Sequence, residues 1–252
     1  MLAYFSRMKK LELESWNRKA HFDFFKTYDQ PFFGITTELD VTIAYQESKR
    51  LKSSFFLYYL HKSLVVINEI ECFRYRILEN DVVVFDTIRA GTTINRPDGT
   101  FSFSYIPYFK EFAAFEQSAL QVIEEIRATN GLSHTDRSQD VVYFSAIPWV
   151  KFTSVEHAMN SKVPDSVPKI AFGKWEERDG KKYMPVSVHV HHALMDGVNV
   201  GEFYNLLQTL LSVCSEINYT FSPILLPANF VENTRHSGAM PVLFALLANK
   251  II

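Results

Sequence analysis

Hydrophobic residues along this chain recur with two periods, and each change of period marks an element. Phe56, Tyr59, Leu60, Leu64 and Ile67 fall at helical spacing, with Ser53 and Ser54 placed to cap, which predicts a helix running to Glu69. Phe112, Phe115, Ala119, Val122 and Ile126 share one face of a second amphipathic helix, ended by Asn130-Gly131. A shorter helix is expected after Ser15 over 16–25, and a last one from Val200 to Ser212. Period-two or β-branched runs predict strands over 34–42, 73–78, 81–88, 101–106, 141–146, 169–175 and 183–191. Glu79-Asn80 reads as the turn of a hairpin, and Asp179-Gly180 as the turn into the run at 183. Arg89 to Gly99, with Gly91 and Pro97-Asp98-Gly99, reads as a loop. Helices and mostly antiparallel strands without a βαβα rhythm indicate one domain of the α+β class.

Composition narrows the function. Among 252 residues, 26 Lys+Arg face 28 Asp+Glu, a balance that excludes an overall basic nucleic-acid binder. Aromatics make up 15%, with 22 Phe, which suits a phenyl-rich core, pocket or subunit interface. The two cysteines, Cys72 and Cys214, have no metal-ligand spacing and argue against a disulfide framework. The apolar runs at 55–60, 64–67 and 242–248 are all shorter than the roughly 18 residues that span a bilayer. Without a secretory signal at the start, the expectation is a soluble cytoplasmic protein that engages neither membrane nor nucleic acid. Beyond Ser222 the character changes to prolines, a polar stretch and an apolar end, read as a docked helix.

Reactive groups are densest in His189-Val190-His191-His192-Ala193-Leu194-Met195-Asp196-Gly197. Strand alternation puts His189 and His191 on one face and His192 on the other, and Gly197 is expected to allow a sharp turn into a helix. A histidine fixed at a strand end, with an acid four residues on, suits a general base. Two other readings stand beside it: a metal bound by His189 and His191, for which no third ligand is evident, and simple packing against aromatics.

The string HHALMDG matches the HHxxxDG signature of coenzyme A-dependent acyltransferases, and HVHHALMDGVNVGEF resembles the active-site segment of the chloramphenicol acetyltransferase family. Trp16-Asn17-Arg18-Lys19-Ala20-His21-Phe22 resembles that family's N-terminal helix, and Phe144-Ser145-Ala146-Ile147-Pro148-Trp149 its central Ser-x-x-Pro-Trp strand. The resemblance covers about Leu11 to Ser212, so residues 1–216 are expected to form the family's two-layer sandwich, a mostly antiparallel mixed sheet packed with helices. Residues 217–252 are left as an extension of unassigned role.

The resemblance implies that His192 is the catalytic base and that Ser145 stabilises the tetrahedral oxyanion. It pairs Asp196 with Arg18, where a bidentate Arg–carboxylate pair could clamp the turn. It places Lys52 and Lys174 near the phosphates of coenzyme A, and Phe24, Phe25 and Phe101 around the acceptor. Acetyl-CoA would be the co-substrate and a small molecule bearing a hydroxyl the acceptor, with no metal. A homotrimer with active sites between subunits is implied, as is a link to antibiotic resistance.

The chain departs from the family's pattern in three places. The segment Val155 to Ala171, an apolar and aromatic pocket wall in the drug-acetylating enzymes, carries His157, Met159, Asp165, Ser166 and Lys169. Ala171 stands where the family often has threonine, and Asn199 where it has histidine. These departures leave room for a different alcohol or amine acceptor, or for a non-catalytic binding protein of the same fold.

Overall fold

Val186, Val188 and Val190 are fully buried in one hydrophobic core, while the residues between them, Ser187 and His189, lie outside that core. This alternation divides the molecule into a helix-covered face of the sheet and an opposite face that carries Ser187 and His189. The computed structural model describes residues 6–132, 138–160 and 162–214. In chain order the elements are β1 (Met8–Lys10), α1 (Lys19–Phe25), β2 (Phe32–Asp40), α2 (Thr42–Arg50), α3 (Phe55–Glu69), β3 (Tyr75–Leu78), β4 (Asp81–Phe85), β5 (Arg89–Asn95) and β6 (Phe101–Ile106). They continue with α4 (Phe112–Arg127), β7 (Val141–Ile147), β8 (Lys169–Gly173), β9 (Glu176–Arg178), β10 (Lys181–His191) and α5 (Gly197–Leu211).

The main sheet runs β2-β10-β8-β7-β5-β6, with β9 paired to β10. It is mixed: β5-β7 and β7-β8 are parallel, and the other pairs are antiparallel. A second sheet, β1-β4-β3, stands apart. Arg76 on β3 ties the two together. Its fully buried guanidinium donates to the carbonyls of Phe73, Tyr75, Gln139 and Val141, the last of which begins β7. Tyr58, Leu60, Leu64 and Ile67 of α3 and Phe203, Leu207 and Leu211 of α5 pack with Val142, Phe144, Ile170 and Phe172 of the sheet into one core. The expected α+β two-layer arrangement is therefore the observed one.

Several sequence expectations need correction. Residues 89–95, expected in a loop, form β5, an interior strand paired to β6 and β7. Its polar and glycine content misleads because the Tyr143 ring fills the space above Gly91, where a Cβ would come within 2.8 Å of Cδ1. Only 96–100 turn. Helix α1 starts at Lys19, and Ser15 ends a short 3₁₀ turn over Leu13–Ser15 instead of capping a helix. Helix α2 was not foreseen, and Phe73 lies in a 3₁₀ turn before β3. Gly197 opens α5 without a left-handed backbone, so the turn there does not require glycine. Asp179 and Gly180, both left-handed, make the predicted two-residue turn, but between β9 and β10. No helix among the described residues is long and apolar enough to cross a membrane. The C-terminal extension lies outside the described residues.

Candidate active site

The candidate base is held by α1, by the start of β2 and by its own turn. His192 follows the last residue of β10, and its backbone N–H donates to the carbonyl of Pro31 at 2.8 Å. Its ring stacks on Phe25 of α1, centroids 3.9 Å apart and planes 13° from parallel, and Phe33 of β2 leans on it at 4.7 Å. Nδ1 lies 3.1 Å from the carbonyl oxygen of Met195. A carbonyl can only accept, so Nδ1 carries a proton, and in the neutral ring Nε2 keeps the lone pair.

The turn that carries this ring is closed by Asp196. Its carboxylate is the N-cap of α5, with Oδ1 accepting from the Val198 N–H at 3.1 Å. Asn199 Oδ1 reciprocates by accepting the Asp196 N–H at 3.0 Å, which completes a capping box. The other oxygen, Oδ2, accepts from Arg18 Nη1 at 2.6 Å, while Arg18 Nη2 donates to the His192 carbonyl at 3.3 Å. The Arg18–Asp196 pair is thus not bidentate as expected. One carboxylate oxygen is committed to the helix cap, and the guanidinium fork divides between Asp196 and the backbone of the base. Partial burial pulls the Asp196 carboxyl up, but Arg18 and the backbone N–H groups outweigh it and hold the pKa below its usual value.

Ser145 is somewhere else. On β7 it pairs with Ala171 of β8, which pairs with Ser187 of β10, five residues before His192. Two strand spacings and five residues of rise put Ser145 and His192 roughly 19 Å apart. They also lie on opposite faces, since Phe33, which touches His192, packs against the core whereas Ser145 shares the face of Ala171 and Ser187.

The segments that follow Lys52 and Lys174 meet at one ring. Tyr45 touches both Phe55, three residues after Lys52, and Trp175, next to Lys174. Both lysines are exposed, and Lys52 takes a left-handed backbone just past the end of α2. Of the expected acceptor residues, Phe25 is on the base itself. Phe24 stands 56% exposed on α1 beside a shallow depression of about 280 Å³ lined by Ala20, His21, Phe24 and Phe25. Phe101 is exposed on β6, on the face of Ser145. His189 and His191 share that same face as expected, and no metal-binding cluster occurs among the described residues.

Comparison with known proteins identifies the family. The family model described as chloramphenicol acetyltransferase matches residues 6–208. The chain belongs to the chloramphenicol acetyltransferase family. The chloramphenicol acetyltransferase of Streptomyces acrimycini is 28% identical over 205 residues, covering 80% of this chain and 93% of its own length. That of Proteus mirabilis is 27% identical over 199 residues, covering 79% and 92%. A solved chloramphenicol acetyltransferase superposes with a TM-score of 0.74 at 30% identity, covering 81% of this chain and all of its own. A probable dihydrolipoamide acetyltransferase from Listeria monocytogenes shares the fold, with a TM-score of 0.60 at 13% identity. As a member of this family the chain is an acyltransferase with acetyltransferase activity.

Sequence reasoning missed Phe33, the Pro31 and Met195 carbonyls and the role of Asn199. The last was readable: an Asp with an amide side chain three residues on, before an apolar run, is a capping-box pattern. The carbonyl contacts leave no trace in residue type.

Proposed function

We propose that this chain is an acetyl-CoA-dependent O-acetyltransferase in which His192 Nε2 is the general base. The observation that carries the reading is the commitment of Nδ1 to the Met195 carbonyl, with the ring clamped by Phe25 and Phe33, which leaves one lone pair in a fixed direction. His192 takes the acceptor's hydroxyl proton as the oxygen attacks the thioester carbonyl. The tetrahedral oxyanion accepts a hydrogen bond from Ser145 Oγ, a donor of a kind worth about 3 kcal/mol of barrier. Collapse expels coenzyme A thiolate, which recovers the proton from His192. Arg18 and Asp196 position the base and transfer no proton. Lys52 and Lys174 meet the phosphates of coenzyme A, where exposed mobile charges suit the task.

His192 and Ser145 are too far apart, on opposite faces of the sheet, to act on one substrate within one chain. A site that uses both is completed by a second copy, and a homotrimer with three such interfaces satisfies this. In it, Phe24, Phe25 and Phe101 line the acceptor pocket, and chloramphenicol, for which the relatives are named, is the first acceptor to try. Residues 1–216 form the transferase domain, 217–252 form an extension outside it, and the protein works in the cytoplasm, where acetyl-CoA is available and drug acetylation would confer resistance.

The test is coenzyme A thiol release with and without chloramphenicol, in the wild type and in His192→Ala. Release that depends on the acceptor and is lost in the variant, with the circular dichroism spectrum unchanged, is expected. Release that survives in His192→Ala would refute the mechanism.

A further inference from the structure

The face of the sheet that holds Ser145 carries a pair of histidines that nothing in the acyl-transfer chemistry uses. Tyr143, Lys169 and His189 form one row across β7, β8 and β10, adjacent to the row of Ser145, Ala171 and Ser187. His189 therefore lies roughly 12 Å from Ser145 on the same surface. Its ring extends over β2. A Cβ on Gly34 would fall 1.9 Å from His189 Cδ2 and 2.0 Å from Nε2, so only glycine admits the imidazole there. His157, from the connection between β7 and β8, meets it edge to face at 5.1 Å.

The surroundings favour the neutral form of both rings. Burial, His189 and Lys169 lower the His157 pKa to about 4. Burial and Lys169 lower that of His189 against the opposing pull of Glu156. A neutral imidazole presents one donor and one acceptor. Yet His157 Nε2 and His189 Nδ1 are buried without a hydrogen-bond partner among the described residues. The neighbouring Lys169 offers no spare charge, because its ammonium is bound to Asp165 at 2.6 Å and to the Val167 carbonyl at 3.1 Å and sits over the Phe32 ring. The other nitrogen of each ring, His157 Nδ1 and His189 Nε2, is not sealed in this way, so beside a neutralised cation the pair offers a surface that rewards uncharged hydrogen-bonding groups and is poorly matched to an apolar ring.

We propose that His157 and His189 are the specificity-determining pair of the acceptor pocket, selecting an uncharged acceptor that carries further hydroxyl groups beside the one that is acetylated. This rests on the acetyl-transfer reading above, and the experiment separates the two. Methyl glucoside and cyclohexylmethanol each have a six-membered ring and one primary alcohol, and differ chiefly in the remaining hydroxyls. With saturating acetyl-CoA, the wild type is expected to favour methyl glucoside in kcat/KM by about tenfold or more. His157→Leu should erase that preference through acceptor KM with little change in kcat. His189→Gln, which keeps a donor and an acceptor, should retain part of it.

The same ratio in the wild type and His157→Leu, or a wild-type preference for cyclohexylmethanol, overturns the proposal. If neither alcohol releases thiol, ¹⁵N signals of the two imidazoles are followed in the full chain as methyl glucoside is added. Shifts at His157 and His189 then uphold the pocket and sink acetyl transfer to such alcohols. Unmoved signals overturn the pocket.

Discussion

Asp196 does two jobs with its two oxygens, and substitution can separate them. Asp196→Ala removes the N-cap of α5, which costs about 1 kcal/mol. It also removes the Arg18 contact, a charge-assisted hydrogen bond worth about 1.5–3 kcal/mol when buried. Arg18 and Asp196 side chains are 18% and 37% exposed, so solvent screening brings that share down to about 1–1.5 kcal/mol. The total is about 2–2.5 kcal/mol, a fall in Tm of about 4–10 °C for a domain of this size. Asp196→Asn keeps a good cap and loses the charge, so its cost is the ionic share alone, about 1–1.5 kcal/mol. Thermal melts at one fixed protein concentration read both, since assembly makes Tm concentration-dependent. The pH dependence has a definite sign. The folded pKa lies below the usual 3.8, so the contribution of the charge is complete above that value and disappears as pH falls through the folded pKa. The gap between wild type and Asp196→Asn should be flat from pH 5 to 8 and close only below about 4. An Ala variant within about 0.5 kcal/mol of the wild type, or equal costs for Ala and Asn, would refute this division of labour.

Other consequences follow from the same geometry. Ser145→Ala should lower kcat by about 100-fold with acetyl-CoA KM little changed; an unaffected kcat removes Ser145 from the reaction. Mixing His192→Ala and Ser145→Ala chains in equal amounts during refolding should recover about one quarter of the wild-type activity, because one in four random interfaces brings an intact His192 to an intact Ser145. No recovery would mean that both residues serve one chain. Gly34→Ala should destabilise by about 1–3 kcal/mol through collision with His189. Adding His189→Ala should return most of that loss, and a double-mutant cycle without coupling would contradict the close approach.

The residues that speak through periodicity were legible in the sequence. Helices α3 and α4 and strands β7 and β10 follow from apolar spacing because each buries one face in the shared core, whereas β6 alternates the other way, burying Ser102, Ser104 and Ile106 and turning Phe101 outward. β5 was illegible for a physical reason: an interior strand can carry Gly91, Thr92 and Thr93 when hydrogen bonds to β6 and β7 hold its backbone on both sides. Helix α2 was hidden because its mean hydropathy is low and only Ala44, Glu47 and Ser48 are buried. At the site, residue types announced His192, Asp196 and Arg18, whereas the groups that fix the imidazole are partly carbonyls, of Met195 and Pro31, and a carbonyl belongs to every residue. The distance between Ser145 and His192 could not be read from spacing along the chain, because it depends on which strands lie between β7 and β10.

That separation has a consequence for how such a site can diverge. Successive residues of β10 face opposite ways, so His189 can be exchanged without entering the core that Val188 and Val190 help to build. The turn at 192–196 is different: Arg18, Asp196, Asn199 and the Met195 carbonyl brace one another, and the loss of any one loosens the imidazole. The machinery proposed for acyl transfer therefore sits in a tightly coupled network at the strand end. The surface proposed for acceptor choice sits on the far face, where a side chain answers mainly to its neighbours in the row and to the connection bearing His157. In such a fold the acceptor can change while the chemistry stays. The residues of this chain follow that division: His157, Lys169 and Ala171 lie on the far face, while Arg18, His192 and Asp196 hold their contacts at the turn.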